Sequence, residues 1–178
     1  MTVQTKMTAT EFLALPESNL PHELINGEEI MSPSPTAKHQ RPLYRLFDLV
    51  RRLVPNGEAF MAPMDVYLDE GSVVQPDLMW IAEGSTCVLD EDKYLHGGPD
   101  LVAEVLSPST TRFDRKDKFR LYEKHGVREY WIVDPDAKLI EVWHRVDAKF
   151  VRLDIYAPGD QFSSPLLGTV EAKEIFPE

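Results

Sequence analysis

The sequence predicts a mixed α/β (α+β) fold: a central mixed β-sheet flanked by helices, with a β-hairpin at the N-terminal end. Three observations predict it. Leu43, Leu46, Phe47, Val50, Leu53 and Val54 recur at helical spacing in one long stretch. Apolar, strand-like runs follow one another through residues 60–83, 99–107 and 128–157. A second helical stretch, from about Asp114 to His125, lies between two of those runs and forms a crossover.

Taken in order, Thr8-Ala9-Thr10-Glu11 fits a capping box, in which hydroxyl and carboxylate each cover an orphan amide, so a short helix is expected to about Leu15. "HELINGEEIM" (His22 to Met31) gives two extended halves around Asn26-Gly27, a dipeptide that tolerates positive φ in a tight hairpin. "SPSPT" is a loop, and the long helix follows to about Val54, where Pro55-Asn56-Gly57 stops it. Pro42 fits poorly inside that helix and marks a kink or a late start. "FMAPMDVYLDE" and "VVQPDLMWIAE" read as two strands joined at Gly71, and Ser85 to Gly98 as a loop with a short helix. "PDLVAEVLS" is a strand, Asp114 is placed to cap the next helix, and Gly126 to end it. "REYWIVDP", "KLIEVWHRV" and "KFVRLDIYA" form a meander with turns at Asp134-Pro135-Asp136-Ala137 and Asp147-Ala148. "SPLLGTVEAKEIF" is too short and mixed to assign. The expected organisation is one domain over 1–178, with a core over about 8–157 and a tail over 158–178.

The 178 residues suffice for a substantial core. No apolar run approaches the ~20 residues of a membrane helix, and the N-terminus lacks the pattern of a secretory signal. A lone cysteine, Cys87, excludes an internal disulfide and a cysteine-based zinc cluster, so the expected location is cytoplasmic. The net charge of −11 argues against a broad electrostatic grip on nucleic acid, though not against a local basic strip. Phosphate loops, nucleophile elbows and H-E-x-x-H are absent, and the five histidines lack ligand spacing. Nothing near Cys87 marks it as an activated nucleophile.

Two acids interrupt apolar strands: Asp77 in "QPDLMWI", beside Pro76, and Glu104 in "LVAEVLS". A buried carboxylate is costly unless paired, and two close together repel unless a cation separates them. Oxygen ligands suit magnesium or manganese. The alternative is that one acid pairs with a lysine or arginine and the other lies on a solvated face. Asp114, Lys118 and Tyr122 share one helical face at i, i+4, i+8, so Lys118 either reaches the carboxylates or makes an exposed i,i+4 salt bridge. Glu23 opens the first hairpin, His39 stands near the start of the long helix, and Asp65 is expected to pair structurally.

"HELINGEEIMSPSP", "HQ", "VVQPDL", "GGPDLVAEVLSPST" and "DRKDKFRLYEKHGVREYWIVDP" together resemble the Uma-two family of restriction-endonuclease-like proteins, within the PD-(D/E)XK nuclease superfamily. The resemblance covers about residues 8 to 157. It implies a restriction-endonuclease-like core and a Mg²⁺-dependent endonuclease that hydrolyses DNA phosphodiesters, with Mn²⁺ able to substitute. Asp77 and Glu104 match the two motif acids and, with a carbonyl near Val105, would hold the metal. Leu106 stands where the motif lysine is expected, and Lys118 on the next helix takes that role, with Lys116 in reserve. Glu23 and His39 match supporting positions. Asp114 and Tyr122 match as well, but capping and packing account for them. Arg112, Arg115, Lys116, Lys118, Arg120, Lys124 and Arg128 put seven basic side chains within 17 positions; Arg112, Arg115, Lys116 and Arg120 are the expected nucleic-acid contacts. A homodimer is expected because cutting two strands with one site per chain invites a two-fold pair. The alternative function is a non-catalytic or partner-dependent member of the same fold, a protein- or nucleic-acid-interaction module.

Overall fold

The computed structural model describes residues 6–177 apart from 17 and 55; the helix-stopping role assigned to Pro55 and the reading of the first five residues lie outside it. α1 (Ala9–Leu13) opens on the expected capping box: the Thr8 hydroxyl accepts from the Glu11 amide at 3.2 Å and the Glu11 carboxylate accepts from the Thr8 amide at 2.8 Å. β1 (His22–Ile25) and β2 (Glu28–Met31) turn at Asn26 and Gly27, with φ of 54° and 81°. α2 (Ala37–Leu53) starts directly after Thr36 and runs through Pro42, so the proline does not delay its start. Pro42 is buried with Leu43, Leu46, Leu49 and Val50 on the inner face.

The two strands expected over 60–83 are four: β3 (Glu58–Met61), β4 (Val66–Asp69), β5 (Ser72–Val74) and β6 (Leu78–Ile81). The chain changes sheet twice, over residues 62–65 and again at Gln75-Pro76-Asp77, and each break holds a proline that cannot donate to a ladder. Where a loop with a short helix was expected, β7 (Val88–Asp90) and β8 (Tyr94–His96) form a small hairpin. β9 (Leu101–Val105) is followed by a helix that begins at residue 111, widens into a π-helical segment (Phe113–Lys118) and continues as α3 (Phe119–Lys124) to Gly126, at φ 85°. The meander is as expected: β10 (Glu129–Asp134), β11 (Leu139–Val146) and β12 (Lys149–Tyr156). The unassigned tail forms β13 (Gln161–Ser164), β14 (Gly168–Glu171) and a short 3₁₀ turn.

These strands build two six-stranded sheets rather than one, in the orders β2-β1-β5-β4-β8-β7 and β12-β11-β10-β9-β6-β3, and β13 and β14 pair as a separate antiparallel hairpin. β9 and β10 are parallel, joined by the helical crossover, while β6 runs antiparallel to β9. The second sheet is covered on both faces, which explains why its central strands are apolar almost throughout. Leu101, Ala103 and Val105 of β9 pack with α2 residues Leu46 and Val50 and with tail residues Phe162, Val170 and Ile175. Val102 and Leu106 belong to the opposite cluster, with Leu121 and Tyr122 of α3 and Val66 and Val74 of the first sheet. The tail is therefore core material, not an appendage. No described helix is long and apolar enough to cross a membrane.

Candidate active site

The site forms where the two sheets, α2 and the crossover helix meet. The β6–β9 register pairs Leu78 with Ala103, which brings Asp77, one residue before β6, alongside Glu104. The Asp77 amide donates to Glu104 Oε2 at a long 3.4 Å, and the Val105 amide donates to Asp77 Oδ2 at 2.7 Å. Asp77 thus sits in the link between sheets rather than inside a strand. Pro76 ends the preceding ladder and leaves this turn free to aim the carboxylate.

Glu104 shares its face of β9 with Val102 and therefore faces the crossover helix. There Lys118 Nζ lies 3.0 Å from Glu104 Oε1, 2.8 Å from Glu23 Oε1 and 3.7 Å from Asp114 Oδ1. The Tyr122 hydroxyl donates to the same Glu104 oxygen at 2.6 Å. Glu23, carried in by β1, also accepts from the Gln75 amide at 2.7 Å. His39, in the first turn of α2, meets Asp77 Oδ2 through Nε2 at 3.0 Å. The structure thus brings together Asp77, Glu104, Lys118, Glu23 and His39, with Val105 contributing an amide. Asp65 has the structural role expected of it, accepting from the Gln75 side chain at 2.8 Å.

Two residues explained by capping and packing belong to this cluster as well. Asp114 does not cap the helix: it lies inside the π-helical segment, 1% exposed, with neither carboxylate oxygen hydrogen-bonded. The helix start is instead organised by Ser107 and Thr110, whose side chains are 3.0 Å apart, and by the Thr111 hydroxyl on the Ser107 carbonyl at 2.7 Å. The buried Tyr130 hydroxyl donates to the Asp114 carbonyl at 3.0 Å, anchoring the widened segment against β10. π-Helical turns concentrate at functional sites because they reposition side chains within a helix. The i, i+4, i+8 spacing of Asp114, Lys118 and Tyr122 was the visible signal.

Four carboxylates surround one ammonium and one imidazole, and the surplus of acid sets the electrostatics. Burial pushes Glu104 well above the usual carboxylate range; Lys118 offsets part of this, while Asp114, Asp77 and Glu23 add to it. Burial likewise raises Asp114, against the pull of Lys118. For Lys118 burial acts downward, but Glu104, Glu23 and Asp114 outweigh it and hold the group firmly protonated. His39 is raised too: burial lowers it, and the Asp77 carboxylate more than compensates, aided by Asp114 and the Val105 backbone. Tyr122 is raised by burial and by Glu104, so it remains a phenol and a donor. Elsewhere, burial pushes Cys87 up to about 12 and its thiol donates to the Gly97 carbonyl at 3.3 Å, which leaves it inert.

The cluster lies at the floor of a cleft of about 1020 Å³. Its walls include Leu20, Pro33, Pro35, Met64, Tyr94 and the Ser107–Thr110 turn. The side chains of Glu104 and Lys118 are each only 4% exposed, whereas Asp77 is 17% exposed to the opening. The donor set fits a hard divalent cation. Among the described residues no hydrogen bond engages Asp77 Oδ1, Glu104 Oε2 has only its long contact, and the buried negative charge exceeds the positive. No described group of three His, Cys, Asp or Glu side chains surrounds one metal position. Arg112, Lys116 and Arg120 are exposed on the crossover helix and do not line the cleft. Arg115 is bonded to Glu141 at 2.7 Å, Lys124 to Asp69 at 2.7 Å, and Arg128 to Asp100 at 3.2 Å. Much of the basic run is thereby neutralised within the chain.

Comparison with known proteins agrees with this architecture. A crystal structure of "a putative nuclease belonging to DUF820" from Anabaena variabilis superimposes with a TM-score of 0.78 over 96% of this chain and 97% of that one, at 22% identity, which shows the shared fold. "Uncharacterized protein sll1609" of Synechocystis sp. is 31% identical over 145 residues, 79% of this chain and 81% of that protein. A second Synechocystis protein, slr1290, is 44% identical over 50 residues, 28% of this chain and 26% of its own length. The model of the Uma2 family, described as "Putative restriction endonuclease", matches residues 9–173. This chain belongs to the Uma2 family.

Proposed function

We propose that this protein is a Mg²⁺-dependent endonuclease that hydrolyses DNA phosphodiester bonds at the Asp77–Glu104–Lys118 cluster. The observation that carries the reading is the surplus of buried carboxylate around one lysine at the floor of an open cleft. That arrangement is unfavourable for stability alone and becomes favourable when a cation and a phosphate share it. Membership of a family described as restriction endonucleases supports the same class of reaction.

Asp77 and Glu104 would hold the metal through Oδ1 and Oε2. When bound, a divalent cation lowers the pKa of a coordinated water and offsets charge on the phosphate. Burial acts downward on Lys118, but Glu104, Glu23 and Asp114 raise it well above its ordinary value. It acts as a fixed positive charge that orients Glu104 and stabilises negative charge at the floor of the cleft. Tyr122 locks the Glu104 rotamer through its hydroxyl, and Glu23 locks Lys118. His39 holds Asp77 Oδ2, so that the opposite oxygen faces the opening.

The test is cleavage of plasmid and single-stranded DNA with Mg²⁺ or Mn²⁺ by the wild type and by Asp77→Ala, Glu104→Ala and Lys118→Ala. Wild-type cleavage that each variant loses is the expected result; cleavage that survives Asp77→Ala refutes the assignment. Thermal unfolding gives a readout independent of activity. A cation at 100 times its Kd adds about 2.7 kcal/mol to stability, a shift that Asp77→Ala abolishes. An intact fold with neither cleavage nor a metal-dependent shift selects the non-catalytic, partner-binding alternative.

A further inference from the structure

We propose that the outer face of α2 is the track for the substrate strand, and that it selects single-stranded DNA by stacking an unpaired base on Tyr44. This deepens the function proposed above and rests on it only for the chemistry, not for the binding.

In a chain of net charge −11, α2 carries Lys38, Arg41, Arg45, Arg51 and Arg52 against one acid, Asp48. The helix buries Pro42, Leu43, Leu46, Leu49 and Val50 on one side, so at 3.6 residues per turn these cations share the opposite side. Lys38 is bonded to Asp136 and Arg52 to Glu174. Arg41 and Arg51 are exposed with no carboxylate among the described residues within salt-bridge distance, whereas the half-buried Arg45 donates to the Ile175 carbonyl at 3.5 Å. The crossover helix keeps three exposed cations as well, Arg112, Lys116 and Arg120, but none of its exposed cations lines the cleft, whereas α2 enters it through Lys38, His39 and Gln40.

Amid these cations stands Tyr44, 64% exposed, the most exposed large hydrophobic among the described residues. One turn before it, Gln40 lines the cleft together with Lys38 and His39. The track therefore begins at the mouth of the active site and extends about 25 Å along the helix. An exposed aromatic among cations is the combination that binds single strands: phosphates meet the charges and a base stacks on the ring. A duplex keeps its bases stacked internally and has no use for Tyr44. The depth of the site favours the same substrate. With Glu104 and Lys118 only 4% exposed beneath the cleft walls, the scissile phosphate has to enter between loops, which a flexible single strand does readily.

The experiment is fluorescence anisotropy with a labelled 20-nucleotide single strand and the matching duplex. It uses the full chain in EDTA, so that cleavage plays no part. Tyr44→Ala and Arg41→Gln are each expected to weaken single-strand binding about tenfold, the usual size of one lost stack or charge contact. Arg41→Gln also reduces the salt dependence by roughly one unit of slope. Asp48→Lys, which removes the one acid from the track, is expected to tighten binding severalfold and guards against loss through misfolding. Duplex binding as tight as single-strand binding, or unchanged affinity in Tyr44→Ala, overturns the proposal. So does a loss confined to Arg112→Glu and Lys116→Glu. Failure of the cleavage reading is separable: binding that follows Tyr44 and Arg41 without any metal-dependent cleavage leaves the track and removes the nuclease.

Discussion

Glu104 and Glu129 lie on the neighbouring parallel strands β9 and β10, both shut away from solvent, and they are held in opposite ways. Glu129 meets neutral donors. The Ser164 hydroxyl reaches both its oxygens, at 2.8 and 3.0 Å, the Leu166 amide donates at 3.0 Å, and the Trp131 indole donates at 2.9 Å. Three neutral donors thus face the carboxylate, and two of them, from Ser164 and Leu166, fasten the tail hairpin to the sheet. Glu104 instead shares one lysine with Glu23 and Asp114 and faces Asp77 across the strands. A buried acid with matched donors builds structure. A buried acid among other acids is poised for something the folded chain does not itself supply.

The sharpest way to break this distinction is to remove each charge in turn. Glu129→Ala strands two buried donors, the Ser164 hydroxyl and the Trp131 indole, while the Leu166 amide keeps Ser164 Oγ at 3.2 Å; at about 1–3 kcal/mol each, a loss of at least about 2 kcal/mol is expected in urea denaturation. Glu104→Gln removes one charge from an acid-rich cluster while the amide keeps the shape. Its stability without metal at pH 8 is expected within about 1 kcal/mol of wild type or above it, while cleavage falls by at least about 100-fold. Equal destabilisation by Glu129→Gln and Glu104→Gln would erase the contrast.

How much of this could be read in the sequence follows from the range of each interaction. The Thr8–Glu11 box, the Asn26-Gly27 turn and the Gly126 stop were legible because local sterics and single hydrogen bonds decide them. Asp77 and Glu104 were legible as acids in apolar runs, Lys118 from the helical face it shares with Asp114 and Tyr122, and the family resemblance gave Glu23 and His39 their supporting roles; the fold then gathers all five. The first sheet, β2-β1-β5-β4-β8-β7, was not legible as a separate sheet. Its strands are three or four residues long, and "FMAPMDVYLDE" crosses between sheets without any change in apolar pattern. Glu129 went unnoticed because its partners Ser164 and Leu166 lie more than 30 positions away, in a tail whose strands show no periodicity. Spacing along the chain does not reveal that Glu141, Asp69 and Asp100 fold against Arg115, Lys124 and Arg128 of the basic run, while Arg112, Lys116 and Arg120 stay exposed.

Smaller effects sharpen the contrast by pH. Asp114 is buried with no hydrogen bond on either oxygen, and burial raises its pKa to about 6, against the pull of Lys118. A carboxyl raised on folding favours the folded state when protonated. Its contribution is therefore present below about pH 4 and is lost as pH climbs through about 6. Asp114→Asn removes this loss, so the difference in Tm between variant and wild type is expected to grow in favour of the variant between pH 4 and 6. Its size is on the order of 1 kcal/mol. A difference that stays flat with pH would show that the carboxyl titrates normally and that the cluster carries no surplus charge there.

Asp69 should give the reverse sign and the smallest effect. Its partial burial acts upward, but Lys124 at 2.7 Å, the Gly71 amide, Ser72 and His125 outweigh it and hold its carboxyl down to about 2. A carboxyl lowered on folding stabilises the native state above about pH 4, and that stability drains away as pH falls towards 2. Asp69→Asn is therefore expected to cost most at neutral pH and nothing near pH 2. With a third of the side chain in water the cost stays below about 1 kcal/mol, and 0.5 M NaCl reduces it further. Measured by thermal unfolding, the curves for Asp69→Asn and Asp114→Asn should diverge from wild type in opposite directions as pH rises. A surface pair gains from its charge, whereas the crowded cluster suffers from it until a cation arrives. Parallel curves would mean that the cluster behaves as an ordinary set of ion pairs, and the case for Asp77 and Glu104 as a metal site would lose its physical basis.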